Sequence, residues 1–158
     1  MPATAAARDH AAVPVPPPLV YAAGLLAGLA AERVAPSPAL PKELARPVGI
    51  LAMGAGAALI ASSVGRFRRS GTSVIPVRPT TALVGTGPYR FTRNPMYVGM
   101  ACLHAGLAVR MQATWSLVLL APVLLTVDRV VIAREERYLE RAFGDQYRRY
   151  RAQVRRWI

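Results

Sequence analysis

Residues Val48–Val64 read VGILAMGAGAALIASSV, an uncharged apolar stretch that decides the fold. A bilayer's hydrocarbon core is roughly 30 Å thick and takes about 20 residues of α-helix. Flanking residues supply the difference, so this stretch predicts a membrane-crossing helix. Three further apolar runs lie on either side of it: Leu19 to Val34, Met96 to Val109 and Ala113 to Ala133. The third is short, and Arg110 to Gln112 after it is a tight turn, so it pairs with the fourth as an antiparallel helical hairpin. The expectation is an all-α fold, a polytopic membrane bundle of about four transmembrane helices.

Before the first run, Met1–Pro18 is rich in Ala and Pro, with Pro14, Pro16, Pro17 and Pro18 close together. That composition predicts an extended, non-helical leader, leaving 19–158 as a single membrane domain. A cleaved signal peptide is considered for Leu19 to Ala31. The flanks match one poorly and three more apolar runs follow, so the run reads as a retained span.

The chain is 53% hydrophobic yet carries a formal net charge of +12, so apolar and basic residues must be segregated. Cationic chains often bind nucleic acid. Arginines set between membrane-length apolar runs instead suit anionic lipid headgroups, and membrane lipid is the expected partner. Arg66, Arg68, Arg69, Arg78, Arg90 and Arg93 fall in one connection, and Arg134, Arg137, Arg141, Arg148, Arg149, Arg151, Arg155 and Arg156 in the tail. Four spans put both on one face, which the positive-inside rule makes cytoplasmic, with both termini there, most naturally at a bacterial inner membrane. The lone Cys102 excludes an internal disulfide and a cysteine-rich metal site, and no metal is expected.

The connection from Arg66 to Pro95 is longer than a compact bundle needs, and long connections are commonly functional. Its Thr72-Ser73-Val74-Ile75 stretch, Pro76, Pro79 and Gly85-Thr86-Gly87 suggest an ordered lid over the membrane surface. Then comes Gly87-Pro88-Tyr89-Arg90-Phe91-Thr92-Arg93-Asn94-Pro95-Met96-Tyr97. Asn94 is an expected N-cap and Pro95 the first helical residue of the third run. Amides at a helix start attract anions, and the Arg93 fork suits a carboxylate. Tyr97, on the first turn, can cover a ligand with its ring.

As the fourth run ends, Glu135 and Glu136 follow Arg134. Adjacent carboxylates among arginines are commonly solvated ion pairs. The helical hairpin, however, returns Glu135 to the interface where Arg93 and Asn94 lie, an arrangement suited to a zwitterionic ligand. Leu139, Phe143, Tyr147, Tyr150, Val154 and Trp157 then recur every three or four residues around a Gly144-Asp145 break. They predict a cytoplasmic, amphipathic C-terminal helix at the interface. His104 shares the Tyr97 face but has no second ligand beside it, so an interhelical hydrogen bond is its expected role.

Gly87-Pro88-Tyr89-Arg90, Arg93-Asn94-Pro95-Met96-Tyr97 with Gly99, then Glu135-Glu136, Leu139, Phe143-Gly144, Tyr147 and Tyr150 together resemble the isoprenylcysteine carboxyl methyltransferase and phospholipid methyltransferase superfamily. The resemblance covers Gly71 to Trp157. Gly85-Thr86-Gly87 also resembles the glycine pair of phosphatidylethanolamine methyltransferases. The resemblance implies S-adenosylmethionine as cofactor, held by Gly85, Gly87, Pro88, Tyr89, Arg93, Asn94, Pro95, Tyr97, Glu135 and Glu136. Arg93, Tyr97 and Glu135 would serve catalysis, with a lipophilic small molecule or lipid as acceptor. Many isoprenylcysteine enzymes have His where this chain has Asn94, so a prenylated cysteine is not implied. Two other readings compete: an NADPH-dependent membrane reductase resembling sterol reductases, and a non-catalytic scaffold of the same fold.

Overall fold

A computed structural model describes residues 13–38, 40–71 and 81–158. Their regular structure is helical: α1 Pro17–Val34, α2 Lys42–Arg69, a 3-10 turn Gly87–Arg90, α3 Pro95–Arg110, α4 Thr114–Thr126, α5 Ala133–Phe143 and α6 Asp145–Gln153. A π-helical segment, Val127–Ile132, joins α4 to α5 without a break. The result is the all-α membrane bundle expected from the apolar runs. Two rods, α2 and Thr114–Phe143, are long and apolar enough to cross a bilayer by length and composition. The second rod's spanning part ends near Ile132. Beyond it α5 carries Arg134, Glu135, Glu136, Arg137, Glu140 and Arg141, too many charges for hydrocarbon.

The helix bounds depart from the sequence reading where prolines lie. Pro17 and Pro18 open α1 instead of closing a non-helical leader, because a missing N–H is harmless at a helix start. The rest of that leader, 1–12, lies outside the described residues. Helix α2 begins at Lys42 and continues through Pro47, so it is longer than the Val48–Val64 stretch. Leu44 and Ala45 donate to the Pro41 carbonyl at 3.0 and 2.9 Å, which anchors that extra turn. The Thr72–Ile75 stretch, with Pro76 and Pro79, lies outside the described residues, and so does that part of the expected lid; Gly85-Thr86-Gly87 lie within them.

Glycines set how closely α2 and α3 approach. A Cβ on Gly56 would stand 2.6 Å from the Gly99 carbonyl oxygen, and one on Gly106 would stand 2.7 Å from that of Gly49. Gly49 and Gly56 therefore face Gly106 and Gly99 in antiparallel register, the small-residue seam by which membrane helices gain close contact. On the other side, α1 lies along α4, with Gly28 against the Ser116 backbone. Leu26, Leu51, Val118 and Leu125 point outward, as lipid-facing residues do. The turn after α3 places Gln112 at φ 57°, and its side-chain oxygen accepts from the Leu40 amide at 2.7 Å.

His104 takes the interhelical role expected of it. Its Nε2 donates to the Ser116 carbonyl at 2.9 Å, and the Ser116 hydroxyl donates to the Leu25 carbonyl at 3.0 Å, tying α3, α4 and α1 together.

Candidate functional site

The α3 start, the α4–α5 junction and the residues after α6 meet at one end of the bundle. Tyr97, on the first turn of α3, donates its hydroxyl to Glu135 Oε1 at 2.7 Å. The Tyr21 hydroxyl from α1 donates to the Tyr97 carbonyl at 3.0 Å and holds that turn in place. Arg93 Nη2 lies 2.6 Å from Glu136 Oε1, with both side chains 10% exposed. Two sequence segments about forty residues apart thus form two polar contacts across the hairpin.

Glu136, not Glu135, is the partner of Arg93, and helix phase decides which. The π segment unwinds the rod between Asp128 and Glu136. In a plain α-helix, eight residues at 3.6 per turn would leave these side chains about 80° apart. The wider turn reduces that offset, and both carboxylates reach the same cation, Arg156. Pro122 in α4 removes one backbone donor upstream, and Thr126 Oγ1 donates to the Pro122 carbonyl at 2.8 Å.

Arg156 is a site residue that the sequence reading did not select, and it arrives by a fold-back. Gly144, at φ 49°, breaks the tail between α5 and α6, and residues 154–157 return along 92–94. The Arg93 amide donates to the Arg155 carbonyl at 2.9 Å, and Thr92 Oγ1 and Asn94 Nδ2 both donate to the Arg156 carbonyl, at 3.0 and 2.9 Å. Arg93 Nη1 donates to the Val154 carbonyl at 2.7 Å and the Arg151 carbonyl at 3.1 Å. Asn94 occupies the N-cap position, but its side chain makes no capping bond. The Thr92 hydroxyl instead accepts from the Asn94 amide at 3.1 Å. The sequence reading left Arg93 and Asn94 open to a ligand. Here the tail's carbonyls take much of their donor capacity, while Arg93 Nε stays buried with no acceptor among the described residues.

The remaining expected residues line the same end. Gly87 has φ 63°, where a Cβ would stand 2.7 Å from Arg66 Nε. Pro88 and Tyr89 continue the 3-10 turn, and the Tyr89 carbonyl accepts from the Tyr150 hydroxyl at 2.8 Å. The Tyr89 ring packs on Phe67 with centroids 5.5 Å apart. A Cβ on Gly85 would face the Tyr150 ring at 3.6 Å. Pro95 is fully buried, and so is Tyr147, which stacks obliquely on Tyr150.

The two glutamates titrate in opposite directions. Burial, opposed by the Tyr97 hydrogen bond and reinforced by the Glu136 charge, pushes the Glu135 carboxyl up to about 7. Burial also disfavours charge on Glu136, but hydrogen bonds and charge from Arg156 and Arg93 outweigh it and hold that carboxyl below its ordinary value. One carboxylate is therefore fixed as an anion, and its neighbour can exchange a proton near neutral pH. Among the described residues no group of three or more His, Cys, Asp or Glu could hold a metal ion.

Comparison with known proteins assigns the chain to a family. The phospholipid methyltransferase family model matches residues 44–146, well over half the chain, and takes in α2 from its third residue, α3 and the glutamate pair. The chain belongs to the phospholipid methyltransferase family. That family is one of membrane methyltransferases, which agrees with the apolar bundle. A 35-residue segment is 57% identical to an uncharacterized protein of Haemophilus influenzae (strain ATCC 51907 / DSM 11121 / KW20 / Rd), covering 22% of this chain and 56% of that protein. The match thus spans little more than half the relative's length. No solved structure matches the chain. The 154–157 return lies beyond the residues matched to the phospholipid methyltransferase family.

Proposed function

We propose that the protein transfers a methyl group from S-adenosylmethionine to a lipophilic small molecule or lipid-like acceptor at the cytoplasmic rim of the membrane. The observation that carries this reading is the meeting of Arg93 with Glu136 and of Tyr97 with Glu135 across the α3–α4 hairpin. Chemical fit supports it. Arg93 Nε is a buried donor in need of an acidic oxygen, and the ligand's carboxylate offers one. The Glu135 carboxyl is buried beside the Glu136 charge, a surrounding that the ligand's ammonium and sulfonium, both cations, would relieve. Asn94, Pro95, Gly85, Gly87, Pro88 and Tyr89 would form the surrounding wall.

S-adenosylmethionine supplies an electrophilic methyl group open to in-line displacement. This chain's share of the work is to bind, align and keep water out, and positioning of that kind accounts for much of the acceleration. Arg93 and Glu136 hold a fixed pair, the Tyr97 hydroxyl orients Glu135, and Glu135 can take a proton from an amine or hydroxyl acceptor. A carboxylate or thiolate acceptor would need no base. Exposed apolar side chains on the helices leave a lipophilic acceptor free to enter from the bilayer, and the Arg excess at this end supports a cytoplasmic site.

Binding of S-adenosylmethionine, S-adenosylhomocysteine and NADPH to detergent-purified protein tests the reading. Saturable binding of the first two, lost in Arg93→Ala and Glu135→Ala, is the expected result. Binding of NADPH alone, or of none of the three, would overturn it.

A further inference from the structure

Resting on that reading, we propose that Arg156, steadied by Asp128 from the π segment, is a positioning residue that sets the Arg93–Glu136 pair for the cofactor's acidic end. Arg156 engages Glu136 side-on with the two donors of one edge of its guanidinium: Nε donates to Oε1 at 3.0 Å and Nη2 to Oε2. This two-point grip fixes the plane of the carboxylate, which a single contact cannot do. Oε1 is also the oxygen that Arg93 Nη2 grips. With Nη1 held by the Val154 and Arg151 carbonyls, the position in which Arg156 holds Glu136 completes the setting of the angle at which Arg93 presents its buried Nε.

Arg156 is itself held from behind. Its Nη1 donates to Asp128 Oδ1 and Oδ2 at 3.3 and 3.2 Å, and Trp157 Nε1 donates to Asp128 Oδ1 at 2.9 Å. The Arg156 carbonyl meanwhile receives Thr92 and Asn94, so backbone and side chain are tied to the same few residues. Arg93, Glu136, Arg156 and Asp128 alternate in sign along the chain of contacts, and exposed Arg129 adds a further cation 3.5 Å from Asp128 Oδ2. Only such pairing makes charge tolerable at the end of apolar helices. Without Arg156, Glu136 would be free to turn both oxygens onto Arg93 and take up the Nε–H that the cofactor needs. The return segment is thus a strap that keeps one donor available.

The test uses the full chain in detergent with Trp115→Phe, leaving Trp157 as the only tryptophan. S-adenosylhomocysteine affinity is measured calorimetrically, and Trp157 emission is recorded without ligand. Arg156→Met should weaken binding by roughly tenfold or more, the scale of one lost charged hydrogen bond. Arg156→Lys, which keeps the charge without the fork, should restore part of the loss. Asp128→Asn should red-shift Trp157 emission in the ligand-free protein and weaken binding severalfold, but add nothing to Arg156→Met, because Asp128 acts through Arg156. If Arg156→Met does not fold, the Lys and Asn variants decide by the same criteria. Wild-type affinity in Arg156→Met, or in both the Lys and Asn variants, would overturn the inference alone. Failure of the parent protein to bind would overturn the methyl-transfer reading beneath it.

Discussion

The glycine seam between α2 and α3 offers a matched pair of substitutions. Gly54 and Gly56 lie in the same helix two residues apart. A Cβ at Gly54 meets nothing within 4 Å, whereas one at Gly56 would stand 2.6 Å from the Gly99 oxygen, 3.0 Å from the Leu103 nitrogen and 3.1 Å from Cys102 Cβ. Alanine at either position removes the same backbone freedom, worth about 0.5–1 kcal/mol in favour of the helix. At Gly56 the neighbours are mostly backbone and cannot rotate away, so overpacking adds a penalty of about 1–3 kcal/mol. Because the helix term cancels between the two variants, Gly56→Ala should be less stable than Gly54→Ala by that penalty, about five- to 150-fold in the unfolding constant. Unfolding in mixed micelles of rising dodecyl sulfate fraction, followed by far-UV circular dichroism, measures the difference. Since α3 carries Tyr97 and follows Arg93 directly, Gly56→Ala should also weaken S-adenosylhomocysteine binding. Equal stability of the two variants would refute the close approach of α2 and α3, and with it the placement of the α3 start.

Three further outcomes follow from the site's geometry. Glu135 has its folded-state pKa raised to about 7, above the ordinary 4.5, so its contribution to stability is complete below pH 4.5 and lost as pH rises through 7. Wild-type protein should therefore lose stability relative to Glu135→Gln between pH 5 and pH 8, and parallel denaturation curves check this; a constant difference across that range counts against the buried carboxyl. Arg93→Lys keeps the charge but cannot serve Glu136, Val154 and Arg151 together, and should cost about 1.5–3 kcal/mol by the same micelle titration. Gly87→Ala places a side chain at φ 63° against Arg66, and a loss of roughly 1–2 kcal/mol is expected from the backbone alone; unchanged stability would show that the turn relaxes freely.

The helices and the hairpin were legible because apolar length and turn residues are local signals. Val48–Val64, the Arg110–Gln112 turn and the Gly144 break each show themselves within a few residues. Arg93 and the glutamate pair were legible through their spacing. Which glutamate meets Arg93 was not, since that depends on the helical phase across 127–132, and only Pro122 hints at an unwound turn. Arg156 was hidden for another reason. It is one of many arginines after Ala133, and nothing local distinguishes it from Arg155; its role comes from a chain reversal that brings it to Asp128 and Glu136. Asn94 shows the same limit from the other side. Its place before Pro95 is right for a cap, yet its side chain makes no capping bond and its Nδ2 donates to the carbonyl delivered by the tail.

The charge pattern at this end of the bundle bears on the ligand. Asp128 and Glu136 each have arginine, and Arg93 and Arg156 each have carboxylate, so these four charges are paired with one another. Glu135 receives a neutral hydroxyl, and its neighbour Glu136 repels it. Ionised and unpaired, a carboxylate in that position is unfavourable. Two states relieve it: a proton, which its raised pKa supplies near neutrality, or a cation brought by a ligand. A ligand that carries a sulfonium and an ammonium would meet that need, and one whose sulfur is neutral would meet less of it. Glu135 would then regain affinity for a proton at the stage when an amine or hydroxyl acceptor gives one up. The same residue would then favour the charged donor before transfer and take the acceptor's proton after it, so Glu135→Gln should lower affinity for S-adenosylmethionine more than for S-adenosylhomocysteine. Equal losses for the two ligands would show that Glu135 does not sense the sulfur's charge.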